Sequence, residues 1–209
     1  WTIEIISTEV TEEDKKNAWT DEFGVKYSKD GKKLLIRTDR QLTNYTIKKG
    51  TRCICDNAFG DCLSLQSVSI PDSVTSIGNG AFAWCESLNS VTIPDSVTSI
   101  GDSAFYRCES LQSVTIPESV TIIKGNPFID CPAKVINHSN HFTIFEGNLY
   151  TSDRRKLISY LSKGLNFIIP DSVTSIGDSA FAGCEFLQSV TIPDSVTSIG
   201  DGAFYDCLF

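Results

Sequence analysis

The hydrophobic positions of the chain recur with a spacing that repeats a whole segment rather than a helical turn. Residues 62–85 read CLSLQSVSIPDSVTSIGNGAFAWC, and close copies occupy 85–108 and 184–207. The cysteines that bound these copies, and those that bound 108–131, are 23 residues apart. A constant period of this length indicates a solenoid, in which each coil buries its apolar side chains against the neighbouring coils.

Each copy begins with a short strand that has one apolar and one polar side. In the copy 85–108, residues 90–93 alternate between polar and β-branched apolar types, so Val91 and Ile93 are predicted to point inward. Pro94 ends this strand, because proline has no N–H group to donate to a neighbouring strand. Stacked coils would place such parallel strands about 4.8 Å apart.

The second half of each copy predicts another extended segment, followed by a helical turn. Residues 97–100 are extended in this prediction, and Gly101 permits the turn that follows. Asp102 offers an oxygen to the free amide groups at the start of a helical turn. The apolar residues predicted to share one face of that turn are Ala104, Phe105 and Cys108.

The order Cys, Leu, Val, Ile-Pro, Val, Ile-Gly, Ala-Phe and Cys resembles the BspA-like leucine-rich repeats of bacterial and protozoan surface proteins. The resemblance covers about nine positions in each 23-residue unit and recurs in adjacent units. It implies a leucine-rich-repeat solenoid of the α/β-horseshoe kind, with mostly short parallel strands and short helical turns. It further implies that the regular strands line a concave side and that the protein binds other proteins outside the cell.

Two related segments interrupt the array and predict β-hairpin modules. Residues 23–47 carry Asp30-Gly31, a dipeptide that is typical of a tight hairpin turn. Residues 145–169 form a second copy of this segment, and each copy leads into a repeat that has lost its Cys-x-x-Leu opening. The chain is therefore predicted to be built twice from a hairpin followed by repeats.

These patterns divide the chain into four parts. The first is an N-terminal strand and β-hairpin cap over 1–44, in which the strand is predicted from the alternation of Trp1, Ile3 and Ile5. The other three are a first repeat block over 45–131 (a degenerate repeat 45–62, then 62–85, 85–108 and 108–131), an inserted β-hairpin module over 132–166, and a second repeat block over 167–209 (repeats 167–184 and 184–207). The array ends in an apolar sequence without a cap, so we expect it to be truncated.

The composition narrows the choice of partners. The chain has 209 residues, of which 41% are hydrophobic, and its formal net charge is −8. This acidic balance argues against nucleic acid and anionic membrane as partners, because both are themselves negatively charged. The printed sequence holds no signal-peptide pattern and no apolar run of membrane-spanning length, so we expect no membrane insertion by this segment.

The eight cysteines are predicted to be reduced rather than paired. Six of them hold one repeat position, where equivalent side chains stack in parallel instead of converging as a disulfide or a zinc site would require. Cys53 and Cys55 flank the inward Ile54 and are expected to face away from the core, as a weak metal or redox signal at most. His138 and His141 lack a clear third ligand, so neither a metal nor another cofactor is expected.

The predicted concave face carries rows of hydroxyl and amide side chains, which make shallow hydrogen bonds but no acid or base. The candidate partner-binding residues on that face are Gln66, Ser67, Ser69, Asn89, Ser90, Thr92, Gln112, Ser113, Thr115, Gln188, Ser189 and Thr191. A second set lies at the hairpin tips, where loops on a rigid scaffold often carry specificity: Lys32, Lys33, Arg154, Arg155 and Lys156.

An enzyme needs groups of different chemistry at one point, and the repeated rows do not supply them. We therefore expect a non-enzymatic, monomeric binding module of a secreted or cell-surface protein, which adheres to host or extracellular-matrix proteins. Two alternatives remain open at this stage. One is a structural spacer or stalk that presents another domain, and the other is a glycan-binding module.

Overall fold

The computed structural model describes residues 6–208 as a solenoid of stacked coils with very little helix. The elements of the first part are α1 (Glu12–Asn17), β1 (Trp19–Thr20), β2 (Val25–Tyr27), β3 (Lys33–Arg37), β4 (Asn44–Thr46), β5 (Cys53–Ile54), β6 (Ser67–Ser69), β7 (Ser76–Ile77), β8 (Ser90–Val91), β9 (Ser99–Ile100), β10 (Ser113–Ile116), β11 (Ile122–Ile123) and β12 (Lys134–Asn137). Those of the second part are β13 (Phe142–Phe145), β14 (Asn148–Thr151), β15 (Lys156–Ser159), β16 (Asn166–Ile168), β17 (Ser175–Ile176), β18 (Ser189–Thr191) and β19 (Ser198–Ile199).

Each regular coil contributes one strand to each of two faces. The strands of the Ser-Val-Thr segments, β4, β6, β8, β10, β12, β16 and β18, form what we call the SVT face. The strands of the Thr-Ser-Ile segments, β5, β7, β9, β11, β17 and β19, form the TSI face. Neighbouring strands pair in parallel one period apart, as in Ser76↔Ser99 and Ser67↔Ser90, so the leucine-rich-repeat solenoid predicted from the sequence is confirmed.

Two antiparallel meanders join the TSI face at its interruptions. Strand β2 pairs antiparallel with β1 and β3, and β14 pairs antiparallel with β13 and β15. The last strand of each meander then pairs in parallel with the first regular coil, β3 with β5 and β15 with β17. Each meander therefore has one more strand than the predicted hairpin, and its last strand continues the TSI sheet.

The segment 132–166 does not consist of the meander alone. Its first strand, β12, pairs in parallel with β10 through Ser113↔Lys134 and the next three residue pairs. This strand therefore belongs to the SVT face of the first block, and the meander begins only at β13. On the SVT face, β12 and β16 end separate sheets, so the two repeat blocks meet at a discontinuity.

Residues 101–108 do not form the predicted helical turn. On this third face of the coil, alternate backbone N–H groups donate to the next coil: Phe82 N to Ala104 O at 2.9 Å and Trp84 N to Tyr106 O at 2.7 Å. A continuous helix would direct those N–H groups to its own carbonyls. The backbone instead alternates between tight turns and left-handed residues, which include Ser103 with a φ of 56°.

An Asp or Asn that lies two residues after a TSI-strand isoleucine links coils instead of capping a helix. Asp56 Oδ1 accepts from the backbone N–H of Asn79 at 2.7 Å, and Asn79 Oδ1 accepts from that of Asp102 at 3.0 Å. Asp102 Oδ1 in turn accepts from Asn126 N at 2.8 Å. Each of these side chains therefore satisfies a backbone donor one coil further along.

The core consists of ladders of equivalent side chains, as the repeat pattern predicts. Phe59, Phe82, Phe105 and Phe128 stack with ring centroids 5.4, 5.6 and 5.9 Å apart and nearly parallel planes. In the second block, Phe181 and Phe204 stack at 5.0 Å. The first three rings are fully buried, so each fills the space between its neighbours and holds the coils in register.

The N-terminal segment packs against the meander side of the first block. A capping box between Thr11 and Asp14 starts α1. The predicted strand over Trp1, Ile3 and Ile5 lies outside the described residues. Residues 6–18 of the segment supply Ile6, Val10 and Ala18 to a small separate cluster.

Cys53 and Cys55 belong to that separate cluster. They face away from the main core, as predicted, and both have no exposed surface because the N-terminal segment covers them. This cover was not predicted from the sequence. The two residues are therefore part of a second small core.

Candidate binding surfaces

The polar residues predicted to bind a partner lie on or beside the SVT face. They are exposed or half-buried, in contrast to the inward Val91 and Val114, which are 9% and 0% exposed. The set comprises Gln66, Ser67, Ser69, Asn89, Ser90, Thr92, Gln112, Ser113, Thr115, Gln188, Ser189 and Thr191. Because parallel strands lie about 4.8 Å apart, equivalent members form rows that cross the coils.

These rows offer hydrogen bonds without titratable groups. Ser67 Oγ and Ser189 Oγ each donate to an asparagine Oδ1 one coil away, Asn44 and Asn166, both at 2.6 Å. Hydroxyl and amide groups of this kind can form hydrogen bonds with a polar partner surface, but the rows contain no acid or base to activate a hydroxyl. The chemistry of the SVT face therefore suits binding.

The first predicted hairpin tip does not present two equivalent lysines. Lys33 Nζ donates to Asp14 Oδ2 at 2.8 Å and to Glu9 O at 2.9 Å, and its side chain is only 13% exposed. Burial lowers the pKa of Lys33, but the hydrogen bond to Asp14 and the charge attraction to its carboxylate, with smaller contributions from Cys55 and Cys53, together raise the net pKa. Lys33 therefore anchors the N-terminal segment, whereas Lys32 is exposed with its Nζ 3.9 Å from Asp30 Oδ2.

The second predicted tip is an exposed basic spot. Arg154, Arg155 and Lys156 all lie on the surface at the β14–β15 turn. The guanidinium of Arg154 lies 4.5 Å from the ring centroid of Phe145 on the adjoining strand β13. This cation–π contact gives one of the three charges a preferred position on an otherwise acidic molecule.

The repeat cysteines form a ladder of free, inward thiols. Cys85 Sγ contacts Phe59 O at 3.3 Å and Cys108 Sγ contacts Phe82 O at 3.2 Å, so each thiol donates weakly to the previous coil. Burial raises the pKa of Cys131 to about 11 and that of Cys184 to about 12. These thiols are therefore structural groups, and within residues 6–208 no three His, Cys, Asp or Glu side chains gather as a metal ion would require.

A cleft of about 410 Å³ lies where the two repeat blocks meet. Its buried apolar wall includes Phe128, Tyr160 and Leu187, which are 3%, 7% and 2% exposed. Charged side chains lie around this wall: Arg107, Glu109, Asp130, Lys163 and Glu185. We call this site the junction cleft, and its size falls in the range of pockets that hold a side chain or a small ligand.

One ion pair organises the charged edge of the junction cleft. Arg107 Nε donates to Asp130 Oδ2 at 3.4 Å, and the Arg107 guanidinium lies 4.5 Å from the ring centroid of Trp84. Burial raises the pKa of Asp130, and repulsion from Glu185 and Asp206 raises it further. The ion pair with Arg107 lowers this pKa, but the net shift is upward. Three carboxylates, those of Glu109, Asp130 and Glu185, line the cleft together with two cations, Arg107 and Lys163.

Sequence reasoning missed the junction cleft, although two departures from the repeat mark it. Phe186 occupies a position that is serine in three other coils, Ser64, Ser87 and Ser110, and it is 70% exposed. Gly183 has a φ of 72°, and a Cβ there would lie 2.4 Å from Asp130 Oδ1. Glycine is thus what allows the Asp130 carboxylate to lie against the next coil.

The coils match a known repeat family over most of the chain. Six copies of the BspA type leucine-rich repeat region match residues 37–155 and 159–209. The chain belongs to the BspA-type leucine-rich repeat family. The repeats and the solenoid of this BspA-type protein are those of a protein-interaction module. Within residues 6–208, no helix is long and apolar enough to cross a bilayer.

Solved structures of bacterial leucine-rich repeat proteins are similar to this BspA-type chain. One from Eubacterium ventriosum is 25% identical, with a TM-score of 0.64 over 90% of this chain and 60% of its own. A leucine-rich cell surface protein from Faecalibacterium prausnitzii is 32% identical, with a TM-score of 0.59 over 78% of this chain and 52% of its own. The chain thus spans less than two thirds of either protein.

A more distant likeness concerns the fold alone. The pneumococcal vaccine antigen PcpA is 15% identical, with a TM-score of 0.59 over 90% of this chain and 67% of its own. No curated protein matches the chain.

Proposed function

We propose that this chain is a non-enzymatic, monomeric binding module of a secreted or cell-surface protein, and that it takes part in adhesion to host or extracellular-matrix proteins. The observation that carries the proposal is the set of parallel polar rows on the SVT face. Residues such as Ser90 and Ser113 repeat the same exposed chemistry from coil to coil, above a fully stacked core. A partner can therefore meet an extended surface that is already in its binding conformation.

The location outside the cell rests on similarity. The Faecalibacterium prausnitzii protein, 32% identical to this chain, is described as a cell surface protein. The net charge of −8 agrees with a protein partner and disfavours nucleic acid and anionic lipid. Eight free thiols do not require a reducing compartment, because burial protects most of them from oxidants.

The experiment is a binding panel with the purified chain. Immobilised extracellular-matrix proteins and glycans are tested at two salt concentrations, with the wild type beside a variant in which Arg154, Arg155 and Lys156 are changed to serine. The proposal expects saturable binding to at least one matrix protein. Binding to glycans alone would replace it with the glycan-binding hypothesis, and no binding at all would favour a structural spacer.

The triple variant separates the two candidate surfaces. If the variant keeps matrix-protein binding, recognition lies on the coils. If the variant loses it, recognition lies on the β14–β15 turn. All three residues are exposed, so their replacement by serine leaves the core unchanged and a matched circular-dichroism spectrum is expected.

A further inference from the structure

The junction cleft differs from the rest of the surface because it is not repeated. The SVT rows present the same residue types on successive coils, whereas the cleft combines Phe186, which replaces a repeat serine, with Gly183, which admits the Asp130 carboxylate. Within a repeat array, the coils themselves show which residues packing requires. Three coils carry serine at this position, so packing of the coils does not explain the exposed phenylalanine.

The apolar part of the cleft is suited to an apolar side chain from a partner. The Phe186 ring is 70% exposed and lines the same cleft as the buried Phe128 and Leu187. An aliphatic or aromatic group inserted there would cover the Phe186 ring and meet a preformed apolar wall. Burying an exposed phenylalanine in this way removes apolar surface from water, which favours binding.

The charged part of the cleft favours a cation beside that apolar group. Glu109 and Glu185 are both exposed along the cleft, and Asp130 already holds Arg107. Lys163 is the other cation that lines the cleft. The carboxylates outnumber the cations, so a positively charged residue of a partner is attracted and an acidic one is repelled.

We propose that the junction cleft binds an extended peptide segment of the partner protein that carries a bulky apolar residue next to a basic one. The apolar residue packs between Phe186 and the wall formed by Phe128 and Leu187, and the basic residue lies against Glu109 and Glu185. This inference rests on the proposed function, because it assigns one specific contact within a protein-binding module.

The test uses fluorescence anisotropy with dye-labelled octapeptides and the whole chain. Three peptides carry Leu-Arg, Phe-Arg or Trp-Lys between Gly-Ser flanks, and two counterparts replace the apolar residue by serine or the basic residue by glutamate. We expect saturable binding with a dissociation constant below about 1 mM for at least one of the three and none for its counterparts. The Phe186→Ser substitution should weaken binding of that peptide about tenfold.

Two further variants make the result specific. Leu63→Ser removes another exposed apolar residue, 49% exposed, that does not line the cleft, and it should leave peptide binding unchanged. Glu185→Gln should weaken binding about threefold at low salt and less at high salt, because screening reduces the attraction. Phe186→Ser installs the residue found in the other coils, so its fold is expected to persist.

Several outcomes would overturn the inference. They are an absence of saturable binding for all three peptides, equal binding by the serine counterpart, or equal loss in Phe186→Ser and Leu63→Ser. Binding of a neutral hexasaccharide that depends on Phe186 would replace it with sugar stacking. Each of these leaves the proposed function standing if intact matrix proteins still bind the SVT face, so the two failures are distinguishable.

Discussion

The side-chain amide of Asn126 donates to the carbonyl oxygen of Ser179 at 3.0 Å, across 53 residues of sequence. The same amide lies 3.4 Å from Ala180 O, and its Oδ1 accepts from Ser159 Oγ at 2.7 Å and from Phe128 N at 3.0 Å. Asn126 is 2% exposed. One buried side chain therefore joins the last coil of the first block to the second block.

Replacing Asn126 should weaken this junction. In Asn126→Ala, several buried donors and acceptors lose their partner, and each unsatisfied group costs about 1–3 kcal/mol. We expect the free energy of unfolding to fall by at least about 2 kcal/mol, measured by urea denaturation followed by circular dichroism. Asn89→Ala removes an exposed asparagine and should change it by less than about 0.5 kcal/mol. Equal effects of the two variants would contradict the role given to Asn126.

The aromatic ladder should be most sensitive at its centre. Phe105 is fully buried and stacks on Phe82 and Phe128, whereas Phe204 is only partly buried in the last described coil. We expect Phe105→Ala to cost about 3–5 kcal/mol of unfolding free energy and Phe204→Ala clearly less. Urea midpoints of the two variants check this order. A larger loss for Phe204→Ala would contradict a ladder that is stabilised from both sides.

Ser179 has a left-handed backbone conformation, and relieving the strain there should stabilise the protein. Ser179 has a φ of 55° at a position where equivalent coils carry Gly80 and Gly202, also with positive φ. Glycine adopts this conformation without the steric penalty of a Cβ, so Ser179→Gly should raise the unfolding free energy by about 0.5–1 kcal/mol. The matched control Ser175→Gly lies in β17 and should lower it. Destabilisation by Ser179→Gly in thermal unfolding would contradict this account.

The buried thiols predict a loss of stability in alkali. Burial raises the pKa of Cys108 above its ordinary value, whereas in the unfolded chain the pKa of a cysteine thiol is about 8.5. Between these two pKa values the unfolded state binds fewer protons than the folded state, so the unfolding free energy falls as the pH rises. Each such thiol contributes a slope of about 1.4 kcal/mol per pH unit above pH 9.

Cys108→Ala isolates one of these contributions. Urea denaturation under reducing conditions from pH 7 to pH 10 should show a slope above pH 9 that is shallower than that of the wild type by about 1.4 kcal/mol per pH unit. Near pH 7 the two slopes should agree, since the thiol is almost fully protonated in both states. Identical slopes over the whole range would mean that Cys108 ionises as readily in the fold as in the unfolded chain.

The sequence predicted the coils because each apolar position in the array meets its own equivalent one period away. It did not predict the third face, because a spacing of three or four residues such as Ala104 to Cys108 fits a helical turn as well as a series of tight turns. Gly80 and Gly202 were a signal against the helix, since positive φ interrupts it. The hydrogen bond that Asp102 accepts from Asn126 N in the next coil could not be inferred, because an Asp at this position could equally well cap a helix.

The candidate site was only partly visible in the sequence. The polar rows could be predicted from strand alternation, and their residues lie on or beside the SVT strands. The sequence could not show that Lys33 anchors the N-terminal segment instead of binding a partner. Its partner Asp14 is 19 residues away and lies in a segment without repeat homology. The junction cleft depends on how the chain returns after the β13–β15 meander, which no local pattern specifies, although Phe186 already departs from the repeat.

Two threonines of one coil test the central claim that the SVT face is the binding surface. Thr92 and Thr98 are both exposed, six residues apart, and they lie beside the SVT strand β8 and the TSI strand β9 respectively. Binding of Thr92→Arg and Thr98→Arg to a matrix protein from the panel should be compared with the wild type by surface plasmon resonance. The account predicts at least tenfold weaker binding for Thr92→Arg, about 1.4 kcal/mol, and no change for Thr98→Arg. Loss confined to Thr98→Arg, or equal binding by both variants, would contradict it.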